Sequence, residues 1–418
     1  MTTATRQLPG LAPLSTFLGL CLLVTIAYPA LVAFPQDVTP GHLLMLICLP
    51  VWALASAQRP VPAFDHSGRF AILIILGCCG MMVLCAILSA FIAAEPFRVA
   101  RTVVSFSTAF AMFTMMNGTA TPGRLHLLLA TLSLALVGVC ILSFLAFFEP
   151  GLNAAIFRGA DRASGFFKNP NQFGIALSTV LPPTAALFLS NRHKLWWAAA
   201  LICLILGLIA SGSKTNLMIS VASVLTLLIL WCILAYQGRE RVVRLVLAVV
   251  AYVTTMALAL TVLSVLNPRA LALLQQFFQG DTPHSVDSRM GLWEDSLALF
   301  IQNPILGVGA GQPIQSGVSH SHNVMLEFAR TLGVPGLVLI TILILAITIC
   351  CFDTIRKSLL AKGAPLEGRC VCIGLALSPL AYIAANFTSD SFGPTTSAFL
   401  YATLFLGLAN RGFLLRAT

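Results

Sequence analysis

The run of residues from Val334 to Asp353, VPGLVLITILILAITICCFD, decides the fold class. It carries no charge before Asp353 and has about the ~20 residues with which an apolar helix crosses a bilayer. Similar runs recur along a chain of 418 residues that is 58% hydrophobic and only 9% charged. A soluble domain carries about 25% charged residues. The composition therefore predicts an all-α polytopic membrane protein.

Twelve such runs are predicted to be transmembrane helices. They cover about residues 12–34, 42–57, 70–93, 99–116, 125–148, 173–190, 195–211, 214–236, 243–266, 334–353, 370–386 and 396–411. Residues 1–266 then hold nine spans with short loops and one longer outer loop, 149–172. Residues 267–333 form a large helical outer loop, and residues 334–418 hold the last three spans. The first run is expected to stay as a span, because residues 1–11 do not resemble a signal peptide.

The basic residues predict the orientation. With the N-terminus inside, fifteen of the 24 Lys and Arg residues fall in inner loops and tails, as the positive-inside rule requires. Both termini are then expected in the cytoplasm. The rule also explains the net charge of +10, so no nucleic-acid partner is expected. The twelve cysteines lie in or beside apolar runs, where we interpret them as small core residues.

The large outer loop is predicted to contain three helices. The first extends from Asn267-Pro268 to Gly280 and the second from Ser288 to Gln302. The third starts near Ser321 or His322 and ends at Gly333, with Pro335 beyond it. The second helix has an apolar stripe of Met290, Trp293, Leu297 and Phe300 or Ile301. We expect these amphipathic helices to lie at the outer membrane interface and to roof a cavity.

Two histidines stand in the polar stretch that precedes the Val334 run, residues 319–327, SHSHNVMLE. A neutral imidazole beside an outward cavity can accept a proton from a hydroxyl near neutral pH. His322 is the preferred base, because Asn323 and Leu326 predict that it lies on the first turn of a packed helix, which would fix its position. His320 is the alternative base. The competing interpretation is helix capping with both rings solvated.

Basic residues of three outer segments predict an anion site. Arg162 lies in RGADRASGFFKNPN (158–171), Lys214 follows Ser-Gly-Ser in a short hairpin, and Arg289 opens the second loop helix. A guanidinium together with free backbone N–H groups at a helix start can hold a phosphate. Each residue alone would more often contact lipid headgroups or form a surface salt bridge. Three on one face favour a shared anion.

Metal chemistry and transport are both disfavoured by the pattern of ionisable residues. The sequence has no His-Glu-x-x-His motif and no Asp-x-Asp pair for a divalent ion on a diphosphate, so neither a metal nor a cofactor is expected. The interiors of the spans are almost free of ionisable residues, whereas ion-coupled transporters usually carry them near the bilayer midplane. Binding or chemistry at the outer face is favoured over passage through the middle.

Several short motifs together resemble the O-antigen ligase and O-antigen polymerase superfamily of bacterial envelope glycosyltransferases. They are Gly165–Gly174 (GFFKNPNQFG), Ser211–Lys214 (SGSK), Ser288-Arg289 with Trp293, Asn303–Gly309 (NPILGVG), and Ser321-His322-Asn323 followed by Gly333 and Gly336. The family more often has arginine at the position of Lys214. Lysine keeps the charge there and lacks the bidentate fork.

The resemblance implies an enzyme of the bacterial inner membrane with its active site on the periplasmic side. The donor would be a glycan on undecaprenyl pyrophosphate and the acceptor a sugar hydroxyl of lipid A–core, in a metal-independent, inverting transfer. The candidate catalytic residues are His322 (or His320), Arg289, Lys214 and Arg162. The candidate substrate-binding residues are Arg101, Lys168, Asn169, Asn171, Asn323 and Glu327, of which Asn323 or Glu327 is also expected to orient the His322 ring.

Two other functions remain open at this point. A polymerase of the same superfamily would extend the lipid-linked glycan, and a transporter or flippase of an anionic lipid is the less favoured alternative. The sequence predicts neither the sugars nor the oligomeric state.

Overall fold

The structure, a computed structural model, describes residues 11–29, 39–57, 66–119, 124–146, 148–157, 162–190, 193–266, 284–315, 318, 320–388 and 394–415. Helices are the main secondary structure of these residues, and the only β-type pairing among them is an isolated bridge between Gln315 and Val318. The predicted all-α class is confirmed. The helix expected from Asn267 to Gly280 lies outside the described residues.

The described helices are α1 (Leu11–Thr25), α2 (Pro40–Ala57), α3 (His66–Ser89), α4 (Pro96–Thr119), α5 (Leu125–Leu145), α6 (Pro150–Phe157), α7 (Pro170–Ser190), α8 (Lys194–Ala210), α9 (Lys214–Ala235), α10 (Gly238–Leu266), α11 (His284–Gln302), α12 (Val324–Leu360), α13 (Leu366–Asn386) and α14 (Pro394–Leu414). Nine of them are long and apolar enough to cross a membrane: α2 to α5, α7, α9, α10, α12 and α13. The polytopic architecture is therefore confirmed, whereas the total of twelve spans stays a prediction.

The centre of the bundle is the pair α7 and α13. Their apolar windows are 83% and 89% buried, more than those of the other candidate spans in the described part of the chain. A Cβ added at Gly374 would lie 2.6 Å from the Cβ of Ala186, so only glycine allows this approach of the two helices. The Ser378 hydroxyl also donates to the Thr179 backbone oxygen at 2.6 Å. The start of α7, where Asn169 and Asn171 lie, is thus carried by the best-packed helix.

Helix α12 is broken at Gly333, whose φ of 69° and ψ of −157° are not helical. The turn after α11 packs into the break, where the Val334 N–H donates to the Pro304 oxygen at 2.7 Å. A Cβ at Gly333 would lie 2.5 Å from the Ile305 oxygen. The predicted end of the third loop helix coincides with this break. Pro335 does not terminate the helix, since α12 continues to Leu360 and proline is tolerated in a first turn.

The opposite end of the bundle is closed by charged residues. Asp353 near the end of α12 accepts from Arg411 of α14 at 3.1 Å and from Lys357 at 2.7 Å. Ser67, in the first turn of α3, donates to the same carboxylate at 3.0 Å. The residues predicted to face inward therefore meet at one end, remote from Gly333. Which end faces the cytoplasm stays a prediction.

Candidate functional site

The sequence predicts that His322 lies in the first turn of a helix. The structure instead places it just before α12, which begins at Val324. The helix is capped by Asn323, whose Oδ1 accepts from the N–H groups of Met325 at 2.9 Å and Leu326 at 3.2 Å. His322 has a φ of 51°, and it is the sole non-glycine residue of the described chain with a positive φ. A left-handed residue cannot belong to the helix. The cap nevertheless fixes the backbone beside His322.

The same asparagine ties this corner to the bundle. Its Nδ2 donates to the backbone oxygen of Phe387, at the end of α13, at 3.3 Å. Asn323 was expected to orient the His322 ring or to contact substrate. Its side chain instead spans three backbone groups, which makes it a support for the loop that holds His322.

Glu327 contacts His320 and Arg330. Arg330 Nη2 donates to both carboxylate oxygens, at 2.8 and 2.9 Å, and the pair is buried, with Arg330 fully enclosed. His320 Nδ1 lies 3.7 Å from Glu327 Oε1. The carboxylate expected to orient His322 thus lies against the other histidine. A buried ion pair of this kind holds a loop in one shape.

Ser321 joins this pair to α11. Its backbone N–H and its hydroxyl both contact Glu327 Oε2, at 2.9 and 2.8 Å. The hydroxyl also accepts from Arg330 Nε at 3.1 Å and from the Ser296 hydroxyl at 3.0 Å. Ser296 lies on α11 two turns, or about 10 Å, beyond Arg289. The histidine loop and Arg289 are therefore held on one rigid frame.

Arg330 also reaches the glycine turn that follows α11. Its Nη1 donates to the Gln312 oxygen at 2.7 Å. The Gln312 side chain in turn exchanges two hydrogen bonds with the backbone of Glu95, at 2.9 and 3.0 Å. A Cβ at Gly311 would lie 2.9 Å from the Arg98 oxygen, so the turn packs closely on the start of α4. Arg101, half-buried, lies one turn further along α4.

Arg162 clamps the hairpin that carries Lys214. Its Nε donates to the Ser211 oxygen and its Nη2 to Asn171 Oδ1, both at 2.8 Å. Gly212 beside it has a φ of 59°, and a Cβ there would lie 3.0 Å from Arg162 Nε. Burial, and after it the positive charge of Arg289, lowers the pKa of Arg162 from its ordinary value. Arg162 and Arg289 are therefore close enough to repel each other.

Lys214 is the first residue of α9 and follows the N-cap Ser213. The start of α7 packs on this hairpin, where Asn216 Nδ2 donates to the Asn171 oxygen at 3.2 Å and to the Ser213 hydroxyl at 2.8 Å. Within the described residues, no carboxylate forms an ion pair with Lys214, Arg162 or Arg289. Lys214 lies at a helix start, where the dipole favours an anion. Arg162 lies in a loop, and Arg289 lies in the second turn of α11, because that helix begins at His284 and not at the predicted Ser288.

The remaining candidates, Asn169, Asn171 and Lys168, lie at the start of α7 or in the turn before it. Asn169 Oδ1 accepts from the Gln172 N–H at 2.9 Å and caps α7, which begins at Pro170. Asn171 is the partner of Arg162. Lys168 is exposed on the preceding turn. The structure thus joins Arg162, Asn171 and the Lys214 hairpin directly, with Arg289 within electrostatic range. It joins His320, Asn323 and Glu327 in the corner that begins α12.

Three supporting residues were given no role from the sequence: Arg330, Ser321 and Gln312. Glu327 and Arg330 stand three residues apart in an apolar segment, a spacing that predicts an ion pair on one helix face. The sequence therefore contained a signal for the ion pair of Arg330. The contacts of Gln312 and the Ser321–Ser296 hydrogen bond depend on the tertiary fold, and no local sequence pattern predicts them.

Comparison with known proteins bears on the central part of the chain. Residues 199–341 match a family model described as O-antigen ligase. The match covers about a third of the chain and includes Lys214, Arg289, His320 and His322, whereas Arg162 lies before it. It confirms the resemblance indicated by the motifs and supports a multi-pass membrane glycosyltransferase of the ligase or polymerase type. No curated protein matches the chain.

Proposed function

We propose that this chain, whose residues 199–341 carry an O-antigen ligase domain, moves O-antigen glycan from undecaprenyl pyrophosphate to lipid A–core. The observation that carries the proposal is a group of basic residues without carboxylate partners in the described structure, Arg162, Lys214 and Arg289. Arg289 lies on the helix whose Ser296 contacts the loop of His320 and His322. In this proposal the chain lies in the inner membrane with both termini in the cytoplasm. The site opens to the periplasm.

The three cations bind the pyrophosphate of the donor. When the bond between the anomeric carbon and the phosphate oxygen breaks, its electron pair stays on the pyrophosphate, and preorganised positive charge stabilises that product. The starts of α7 and α9 add the positive ends of their helix dipoles. The repulsion between Arg162 and Arg289 is relieved when an anion lies between them. Arg101 and Lys168 assist from the neighbouring segments.

His322 acts as the base. It accepts the proton of the acceptor hydroxyl, whose oxygen forms the new bond to the anomeric carbon from the face opposite the pyrophosphate. A base of this kind typically contributes ~10²–10⁴-fold to the rate. The left-handed backbone of His322 supports the choice, because such strain at a non-glycine residue persists where the surrounding structure imposes it and concentrates at functional sites.

His320 remains the alternative base. Its neighbour Glu327 could stabilise an imidazolium, as carboxylates do for catalytic histidines. Glu327 is already bound twice by Arg330, however, which leaves less of its charge for the ring. We therefore propose His322 as the base and keep His320 as the alternative, to be compared with it by mutation.

The exposed face of α11 supports docking on a membrane. Met290, Leu297 and Ile301 form a stripe on this helix that is 47–67% exposed, with the exposed Glu294 between Met290 and Leu297 on the same face. The stripe leads to Ile305 and to Val334, the first exposed apolar residue of the long segment of α12. An apolar stripe continuous with a membrane span rests at the lipid interface. A donor anchored in the bilayer then meets the cations without leaving the membrane.

Reconstitution of the full chain with defined substrates tests the function. Proteoliposomes receive the lipid-linked glycan and lipid A–core, and the products are separated by mass. A capped lipid A–core is expected. Longer lipid-linked chains would replace the proposal with a polymerase, and an unchanged glycan that crosses the bilayer would replace it with a transporter.

A further inference from the structure

An apolar cavity of about 350 Å³ lies among α7, α8, α9 and α10, away from the polar site. Aliphatic and aromatic side chains of all four helices line it, among them Leu181, Ala198, Val224, Leu228 and Trp231. The lining contains no charged residue. A hydrocarbon chain is the ligand that this chemistry fits.

The depth of the cavity in the bilayer indicates how long a bound hydrocarbon chain must be. Lys214 begins α9, and Val224 and Trp231 lie about 15 and 25 Å further along that helix at 1.5 Å per residue. Leu181 and Phe188 lie at similar depths from the start of α7. The hydrocarbon core is about 30 Å thick, so one leaflet is about 15 Å. On α7 and α9 the lining therefore extends from near the midplane into the leaflet remote from Lys214, whereas Thr255 of α10 lies nearer the Lys214 side.

We infer that the cavity binds the far part of the donor's polyprenyl tail and selects donors whose tails are longer than one leaflet. The inference rests on the proposed function, which anchors the pyrophosphate at Lys214. An ordinary acyl chain anchored at that level ends near the midplane and does not reach Leu228. An undecaprenyl chain crosses the midplane and fills the cavity, where it gains packing contacts that a short tail lacks.

Two adjacent alanines supply matched variants. Ala198 lines the cavity, whereas Ala199 is exposed on the outside of the same helix and does not line it. Ala198→Phe places a ring in the cavity and Ala199→Phe places the same ring in the lipid. Neither residue belongs to the polar site, so both variants retain its charges and histidines.

Transfer kinetics test the selection in proteoliposomes. Two donors carry the same glycan, one on an undecaprenyl tail and one on a three-unit tail that ends within its leaflet. The native chain is expected to prefer the long tail by about tenfold in kcat/KM, a difference of about 1.4 kcal/mol. Ala198→Phe loses most of that preference and leaves the short-tail rate unchanged, and Ala199→Phe keeps it. Equal use of both donors by the native chain, or an equal loss for both in Ala198→Phe, overturns the inference.

A crosslinking measurement separates this inference from the proposed function. Undecaprenyl pyrophosphate with a diazirine at the end of its tail carries no glycan, so its labelling needs no transfer. Labelling of Leu228 or Trp231 that Ala198→Phe abolishes supports the cavity as the tail site, even if no glycan transfer occurs. Labelling of these residues by a chain-end diazirine phospholipid and not by the polyprenyl probe assigns the cavity to lipids of the remote leaflet and overturns the inference.

Discussion

The Nε of Arg162 donates to the backbone oxygen of Ser211 at 2.8 Å, so an arginine of one loop clamps the hairpin that presents Lys214. Its Nη2 holds Asn171 at the same time. The planar fork of a guanidinium makes both contacts at once. The position of Lys214 therefore depends on the planar guanidinium of Arg162.

Arg162→Lys keeps the charge and removes the fork. An ammonium can keep one of the two contacts, so the hairpin and Lys214 lose their fixed position. We expect kcat/KM for the lipid-linked donor to fall about tenfold or more, a loss of at least about 1.4 kcal/mol. Arg98→Lys is the matched control, because Arg98 forms an exposed ion pair with Glu95. An unchanged kcat/KM in Arg162→Lys would remove Arg162 from the pyrophosphate site.

Glu327→Gln tests the buried pair that shapes the histidine corner. Arg330 is fully buried and would lose its counter-ion, and such a loss costs about 3–5 kcal/mol. The midpoint of thermal unfolding in detergent should fall clearly. Glu327→Leu combined with Arg330→Met should recover much of the stability, since no buried charge is then left alone.

The exposed pair supplies the comparison for this prediction. Glu95→Gln removes the partner of Arg98 at the surface, where an ion pair contributes about 0–1 kcal/mol. Equal falls in the unfolding midpoint for Glu95→Gln and Glu327→Gln would contradict a structural role for the buried pair.

Asn323→Ala removes the cap of α12. The loss of a capping side chain typically costs about 1 kcal/mol, and the Phe387 contact is lost as well. Transfer should slow because His322 is no longer held beside a fixed helix start, and Asn323→Asp should restore stability through its carboxylate oxygen. Asn303→Ala serves as the control at an exposed position. Normal stability and transfer in Asn323→Ala would show that the cap does not position the corner.

His322→Gly separates the backbone of this residue from its chemistry. Glycine adopts a positive φ without steric strain, whereas left-handed backbone costs other residues about 1–2 kcal/mol. Unfolding of the glycine variant should therefore need as much free energy as that of the native chain, or slightly more, although activity is lost. A marked loss of stability would mean that the ring holds the structure together.

The sequence predicted the helices more accurately than the residues at which they begin and end. Apolar runs such as 334–353 are forced to be helical, because backbone polar groups in lipid must pair within their own segment. The glycine at 333 correctly predicted the break in α12. The start of α12 was placed too early because Ser321 and Asn323 are both good N-caps. Ser321 is occupied by Glu327, Arg330 and Ser296, and Asn323 makes the cap.

Long-range contacts explain what the sequence could not predict at the site. Arg162 and Ser211 are 49 positions apart, and no local spacing announces their hydrogen bond. The sequence identified Arg162, Lys214 and Arg289 by charge and loop position alone. Their roles, like those of His320 and His322, remain predictions for experiment.

The most direct measurement compares glycan transfer by His322→Ala and His320→Ala at equal protein levels in proteoliposomes. A missing general base typically reduces the rate by ~10²–10⁴-fold. We expect that loss in His322→Ala, whereas His320→Ala should retain most of its activity because its ring lies beside Glu327, whose charge Arg330 neutralises. Full transfer by a stably folded His322→Ala would contradict the account, and a selective loss in His320→Ala would move the base to that residue.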